Sequence, residues 1–163
     1  MSVFAPETVA PGSTAPTTIQ GDDFVTLVFS EKSRDGSYKV GAETNVETDS
    51  MLVKAEFSSV EGTPLDLNLT SGIFKKLKIN GSDQDDSIVI GEDAKTKGKL
   101  KIQAGGGSNT IEFKNEPTSN TVIKYFYNDE NNINNQIIIE NVSYDANDKD
   151  LKDTHDIKVK FID

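Results

Sequence analysis

The chain has no cysteine and no tryptophan, and it carries a single histidine, His155, and a single arginine, Arg34, in 163 residues. Without cysteine there are no disulfides, no thiolate zinc sites and no thiol nucleophiles, and the redox compartment is left open. With one arginine, bidentate recognition of phosphate is scarcely available. Apolar residues make up 34% of the chain, and the 12 glycines do not raise that to the usual share of roughly 45–50%. A thin core follows, with part of the chain outside it. No stretch approaches the roughly 20 apolar residues of a membrane-spanning helix. The opening Met1–Ser2–Val3–Phe4–Ala5–Pro6 lacks the basic and long apolar regions of a secretory leader, so the expectation is a chain made and used inside a cell or carried out within a particle.

Acidic residues number 27 against 17 basic ones, a net charge of −10. Such a chain is repelled by DNA, RNA and anionic lipid unless a basic face is segregated, and neither nucleic acid nor membrane is expected as a partner.

Residues 1–22 read as an extended N-terminal arm. Pro6, Pro11 and Pro16 interrupt any hydrogen-bonded ladder among Ser13, Thr14, Thr17 and Thr18, and only Val3, Phe4, Val9 and Ile19 offer apolar anchors. An extended segment of that length reaches at most about 70 Å, which suits it to crossing onto a second subunit, with those four residues as the partner-binding contacts.

Residues 23–163 carry the periodicity of strands. Leu65–Asp66–Leu67–Asn68–Leu69 alternates strictly, with three leucines on one face, and Ile157–Lys158–Val159–Lys160–Phe161 does the same near the C-terminus. Phe24–Phe29, Leu77–Ile79, Ser87–Ile90, Leu100–Ile102, Thr110–Phe113, Val122–Tyr127 and Gln136–Ile139 fill the interval, broken by Gly, Asn and Asp clusters at a spacing of about ten residues. No window sustains a long amphipathic helix; a short turn near Asn147–Lys152 is the best helical candidate.

An internal repeat of about 23 residues is visible. Residues 77–90 align without gaps on 100–113, each reading as strand, polar turn, strand, and a third copy over 123–139 needs about three extra residues in its turn. Both successive antiparallel hairpins and coils of a short β-solenoid satisfy this pattern. The expected fold is all-β: a single compact antiparallel domain, sandwich-like, with the short solenoid as the alternative.

The turns Gly81–Ser82–Asp83–Gln84–Asp85–Asp86–Ser87–Ile88 and Ala104–Gly105–Gly106–Gly107–Ser108–Asn109–Thr110–Ile111 resemble the glycine- and aspartate-rich repeats of RTX calcium-binding β-rolls. The resemblance implies calcium near Asp83, Asp85 and Asp86. Ser82 and Gln84 stand where that motif has glycine, Asn109 stands where it has aspartate, and the units are not tandem nonapeptides, so the expectation is turns without metal and no cofactor. Asp145–Asp150 has the acidity of an EF-hand loop, but Lys149 and Asp150 occupy the wrong places and no helices flank it. His155 has no recurring His or Cys partner, no serine sits in a Gly-x-Ser-x-Gly elbow, and Asp85 and Asp86 diverge if extended. His155 is read as a strand-edge residue beside Ile157, and Asn128–Asn135 as a long polar hairpin loop. No enzyme is expected.

An extended Pro/Thr arm, a small acidic β-domain without cysteine or tryptophan and no catalytic constellation together resemble the capsid cement, or decoration, proteins of tailed bacteriophages, including cyanophages. That resemblance implies a structural protein on the outer capsid surface of a virion, made in the host cytoplasm. It also implies a homo-oligomer, commonly a trimer, whose arm binds adjacent subunits of the major capsid protein. The RTX resemblance implies instead a calcium-dependent adhesin or surface-layer module.

Overall fold

The computed structural model describes residues 7–9, 17–19, 25–29, 35–40, 44–48, 51–59, 62–117, 120–126, 135–146 and 148–162, with side chains described at 45–47 and, from residue 54 onward, at all of these but 126 and 162. It is all-β apart from one short helix among these residues. The strands stack in parallel, coil upon coil, in the manner of a solenoid.

Two ladders make up the stack. The first runs β1 (Glu7–Val9), β3 (Val25–Phe29), β5 (Thr44–Thr48), the first part of β7 (Asp66–Asn80), the first part of β8 (Ser87–Gly105), β9 (Thr110–Phe113) and β11 (Gln136–Ile139). The second runs β2 (Thr17–Ile19), β4 (Asp35–Val40), β6 (Met51–Ser59), the later parts of β7 and β8, β10 (Asn120–Phe126) and β13 (Ile157–Ile162). Strands β7 and β8 pass through both ladders and bend between them, where their register shifts between Leu69 and Ser71. Every described pairing is parallel except that of β12 (Val142–Asp145), which turns back antiparallel on β11.

The expected antiparallel, sandwich-like domain is therefore corrected at the level of pairing, while the all-β class stands. Strand–turn–strand units that would be hairpins pair with the next unit instead of with themselves. Parallel pairing needs a crossover, and here the opposite ladder of the same coil supplies it.

The repeat is the stacking register. Leu77 pairs with Leu100, Ile79 with Ile102, Ser87 with Thr110 and Ile88 with Ile111, each with its counterpart in the next repeat unit. The third copy is shifted from the simple extrapolation: Leu100 pairs with Thr121 and Ile102 with Ile123, whereas a constant offset would bring Leu100 to Ile123. A slip of two positions keeps every side chain on its face, so the pattern survives it. The longer third turn does hold, since Ile111 pairs with Ile137.

Alternation then fills the core in columns. Leu67, Ile88, Ile111 and Ile137 lie one above another, and Phe57, Ile79, Ile102 and Ile123 stack in the opposite ladder; all eight are fully buried. Leu65, Leu67 and Leu69 are all buried, as their alternation predicts, and each buried leucine contributes on the order of 1.5–3 kcal/mol. Leu77–Ile79 and Ser87–Ile90, read separately from sequence, are parts of longer strands.

The stretch read as an arm enters the stack where it is described: Val9 pairs with Phe29 and Ile19 with Val40. Val3 and Phe4 lie outside the described residues. At the other end the coil pattern stops. Glu140 and Asn141 take positive φ (48° and 71°) to reverse the chain into β12, and α1 (Asp150–His155) precedes β13. The helix starts at Asp150, later than the turn read at Asn147–Lys152. Strands β10 and β11, flanking 128–135, do not pair with each other, so no hairpin joins them; of that loop only Asn135 is described.

Candidate functional site

The two glycine turns lie directly over one another at one corner of the stack, and their chemistry is set by a single repeated position. Leu65, Asp86, Asn109 and Asn135 each sit two positions before the buried column Leu67, Ile88, Ile111 and Ile137. The backbone N–H of Leu65 donates to Asp86 Oδ1 at 2.7 Å, that of Asp86 to Asn109 Oδ1 at 3.0 Å, and that of Asn109 to Asn135 Oδ1 at 2.9 Å. In each coil the side chain at this position caps the amide of the coil before it. The following residue continues the ladder with main-chain bonds: Ser87 to Leu65 at 2.8 Å, and Thr110 to Asp86 and Gln136 to Asn109 at 2.9 Å. A buried amide without a partner costs about 1–3 kcal/mol, which is the physical demand these rungs meet.

Asp86 and Asn109 are both buried, and each uses its second side-chain atom differently. Asp86 Oδ2 accepts the Ser82 N–H at 2.7 Å, and Oδ1 also accepts the Ser82 hydroxyl at 2.6 Å. Asn109 Nδ2 instead donates to the carbonyls of Gly106 at 3.0 Å and Ala104 at 3.3 Å. Burial pushes the Asp86 carboxyl above the usual carboxylate range. The Ser82 hydroxyl and the N–H groups of Leu65 and Ser82 oppose that shift, and the neighbouring Asp85 adds slightly to it.

Two glycines are required here by contact. A Cβ at Gly81 would fall 2.5 Å from Asp86 Oδ2, and Gly107, at φ +78°, approaches the Gln84 carbonyl so closely that a Cβ would lie 2.4 Å from its oxygen.

Calcium does not fit this arrangement. It needs several converging oxygens, but the Asp86 carboxylate is taken by N–H and O–H donors, and those donors point toward the place a cation would occupy. Asp85 is exposed and accepts the Ser108 N–H at 2.8 Å, and Asp83 is exposed. Among the described residues no group of three or more His, Cys, Asp or Glu could hold a metal ion.

A second constellation was not legible in the sequence. His155 lies in the last turn of α1, not on a strand edge as expected, because the chain does not enter β13 until Ile157. Its Nδ1 meets Glu116 Oε2 at 2.7 Å and its Nε2 meets the Tyr144 hydroxyl at 3.0 Å, with the Tyr144 ring edge-on at 5.2 Å. With Nδ1–H donated to Glu116, Nε2 accepts the tyrosine proton. The chain of carboxylate, imidazole and phenol joins three segments 39 and 11 residues apart, a distance in sequence that carries no motif. It ties β12 and α1 to the segment after β9. The Asp145–Asp150 stretch holds the start of α1, and Asp148 Oδ1 accepts the Asp150 N–H at 2.9 Å.

No protein-family model, curated protein or solved structure matches this chain.

Proposed function

We propose that the chain is a non-catalytic structural module that works by assembly, of the capsid cement kind, attaching through the end of the stack formed by its N-terminal coils. The supporting observation is the asymmetry of the two ends. At the C-terminal end the coil pattern is broken by antiparallel β12 and by α1, which the Glu116–His155–Tyr144 chain fastens down. Among the described residues β1 and β2 at the other end each have one strand neighbour, β3 and β4 respectively, as β12 and β13 do at the C-terminal one, but no helix or antiparallel strand is described over them. A strand paired on one side presents a row of free N–H and C=O groups, the template on which strand addition works. On this reading Val3, Phe4, Val9 and Ile19 contact subunits of the major capsid protein, and the module is a homo-oligomer, trimeric by preference, on the outer surface of a virion.

The parallel stacking of the two glycine turns favours one other reading, an adhesin or surface-layer module of RTX type. The donors spent on Asp86 weigh against its calcium dependence.

Because the chain has no cysteine, one introduced thiol tests the end-attachment reading. Thr18→Cys carrying a bulky maleimide should abolish the trimer seen by light scattering and the co-sedimentation with capsids assembled from the major capsid protein. Asn141→Cys, labelled in the same way at the opposite end, should leave both intact. A monomer at all concentrations that also ignores capsids, or equal sensitivity at both ends, contradicts the proposal.

A further inference from the structure

The second ladder has an outer face that the overall charge of the chain conceals. Alternation turns Leu77, Ile79, Leu100, Ile102 and Ile123 inward, so the residues between them point out. Lys54, Lys76 and Lys99 fall in one register column across β6, β7 and β8. Lys78 and Lys101 share the next column, which continues through Val122 to Lys158. Lys124 and Lys160 pair in a third. Eight of the sixteen lysines of an acidic chain thus share one face, whose carboxylates are Glu56, 3.5 Å from Lys78, and Asp35, in register with Lys54.

Neighbouring strands lie about 4.8 Å apart, and residues i and i+2 on one face are about 7 Å apart. The lysine Cα positions therefore form a lattice at close to the tightest spacing a sheet allows. Lys124 first, then partial desolvation, then Lys78 hold the Lys101 ammonium below its ordinary range. Like charges directly opposite one another destabilise a sheet. A row of them repeated over five strands costs stability.

We infer that this face binds a single chain of acidic polysaccharide, carboxylated or sulfated, lying along the lysine columns across the strands. The chemistry of the face selects that occupant. Protein interfaces are depleted in lysine and anchored by aromatic residues and arginine, and this face has neither of those anchors. Single-stranded nucleic acid is held by aromatic stacking platforms, also missing here. Duplex nucleic acid and bilayers are broad. On one side they would meet the acidic corner next to the lattice, with Asp83 and Asp85 both exposed. A thin chain lies along the lysine columns clear of that corner. The proposal stands apart from the end-attachment reading, since the lysine face is the flank of the stack rather than its end.

The test measures binding of the whole protein to polygalacturonate and to a heparin-derived oligosaccharide by calorimetry at low salt. A single-stranded oligonucleotide and anionic phospholipid vesicles serve as competing probes. Binding to the polysaccharides should weaken at least tenfold in Lys78→Glu/Lys101→Glu and clearly, though less, in the milder Lys78→Gln/Lys101→Gln, which keeps the fold if the charge reversal does not. Lys149→Glu, off this face, should leave it unchanged. No binding to either polysaccharide, equal loss on changing Lys149, or preference for the oligonucleotide or the vesicles overturns the proposal.

Discussion

Two turns stacked one coil apart, 81–87 and 104–110, solve the same problem with different side chains. Both must bury a corner of the backbone and satisfy the amide of the coil before. The lower turn does it with an acid, Asp86, which accepts at both oxygens, and the upper with an amide, Asn109, which accepts on one side and donates on the other. The acceptor oxygen is what the two share, and it faces the preceding coil each time. What the position requires is an oxygen for a main-chain N–H; the charge of Asp86 is incidental to that and is carried at the cost of burial. In this glycine- and aspartate-rich turn the carboxylate serves the backbone.

The largest effect that would break this equivalence is expected at Gly107. It packs over Gln84, its counterpart in the coil before, and the two positions are not interchangeable. Gly107→Ala places a Cβ against the Gln84 carbonyl at positive φ, and a loss of about 2–5 kcal/mol is expected by chemical denaturation. Gln84→Gly, at an exposed site, should cost well under half of that.

Asn109→Ala comes next. It removes the acceptor from the Asp86 amide and the donor from the Ala104 and Gly106 carbonyls, and should cost about 2–4 kcal/mol. Asp86→Ala should cost a similar amount if the two rungs are equivalent. A loss at only one of them would show that the stack relies on one turn.

A smaller effect separates the acid from the amide. The folded-state pKa of Asp86 is raised by burial, so the folded protein holds this proton more tightly than the unfolded chain does. The stabilisation from that difference is complete below the unfolded value of 3.8 and is lost as pH rises through the higher folded value. Asp86→Asn cannot titrate. Its melting temperature should therefore gain on that of the wild type as pH is raised from about 4 to 7, with the two differing by less than about 1 kcal/mol at the acid end. A gap that moves the opposite way would mean that the donors around Asp86 outweigh its burial.

The smallest effect should come from calcium. Melts with calcium and with chelator should nearly coincide, and Asp85→Ala should change neither. A calcium-induced rise of ten degrees or so, on the order of 2 kcal/mol and abolished by Asp86→Ala, would hand the turn to the RTX-type reading.

Much of this was legible in the sequence, and the reasons are particular. Leu65–Leu69 showed its buried face because strict alternation has one structural meaning. The internal repeat carried the register of 77–90 on 100–113 residue by residue. The direction of pairing was not legible, because a hairpin and a coil share the same strand–turn–strand pattern. The earlier coils hid for a different reason. Asp35 stacks on Lys54 but Ala55 on Leu77, so the step lengthens from one coil to the next and no constant period links them. With those coils unseen, the sequence shows three units, about the minimum for a stable solenoid. The oxygens of Asp83, Asp85 and Asp86 could be found from sequence, but their partners could not. Leu65, 21 residues away, has no side-chain feature that marks its amide as the one needing a cap. The same holds for Glu116 and Tyr144 around His155, and for the lysine face, whose members are scattered from 54 to 160 and gather only when the strands stack.

Amide hydrogen exchange at Leu65, Asp86 and Asn109 tests the repeated side-chain rung most directly. All three amides lie at a corner, where turn amides ordinarily exchange fast, yet each donates to an Asx oxygen of the next coil. The expected result is slow exchange at all three, comparable to Ile88 and Ile111 in the adjoining strands, with protection lost selectively at Asp86 in Asn109→Ala and at Leu65 in Asp86→Ala. Fast exchange at all three in the wild type, or protection at Asp86 that survives Asn109→Ala, would contradict it.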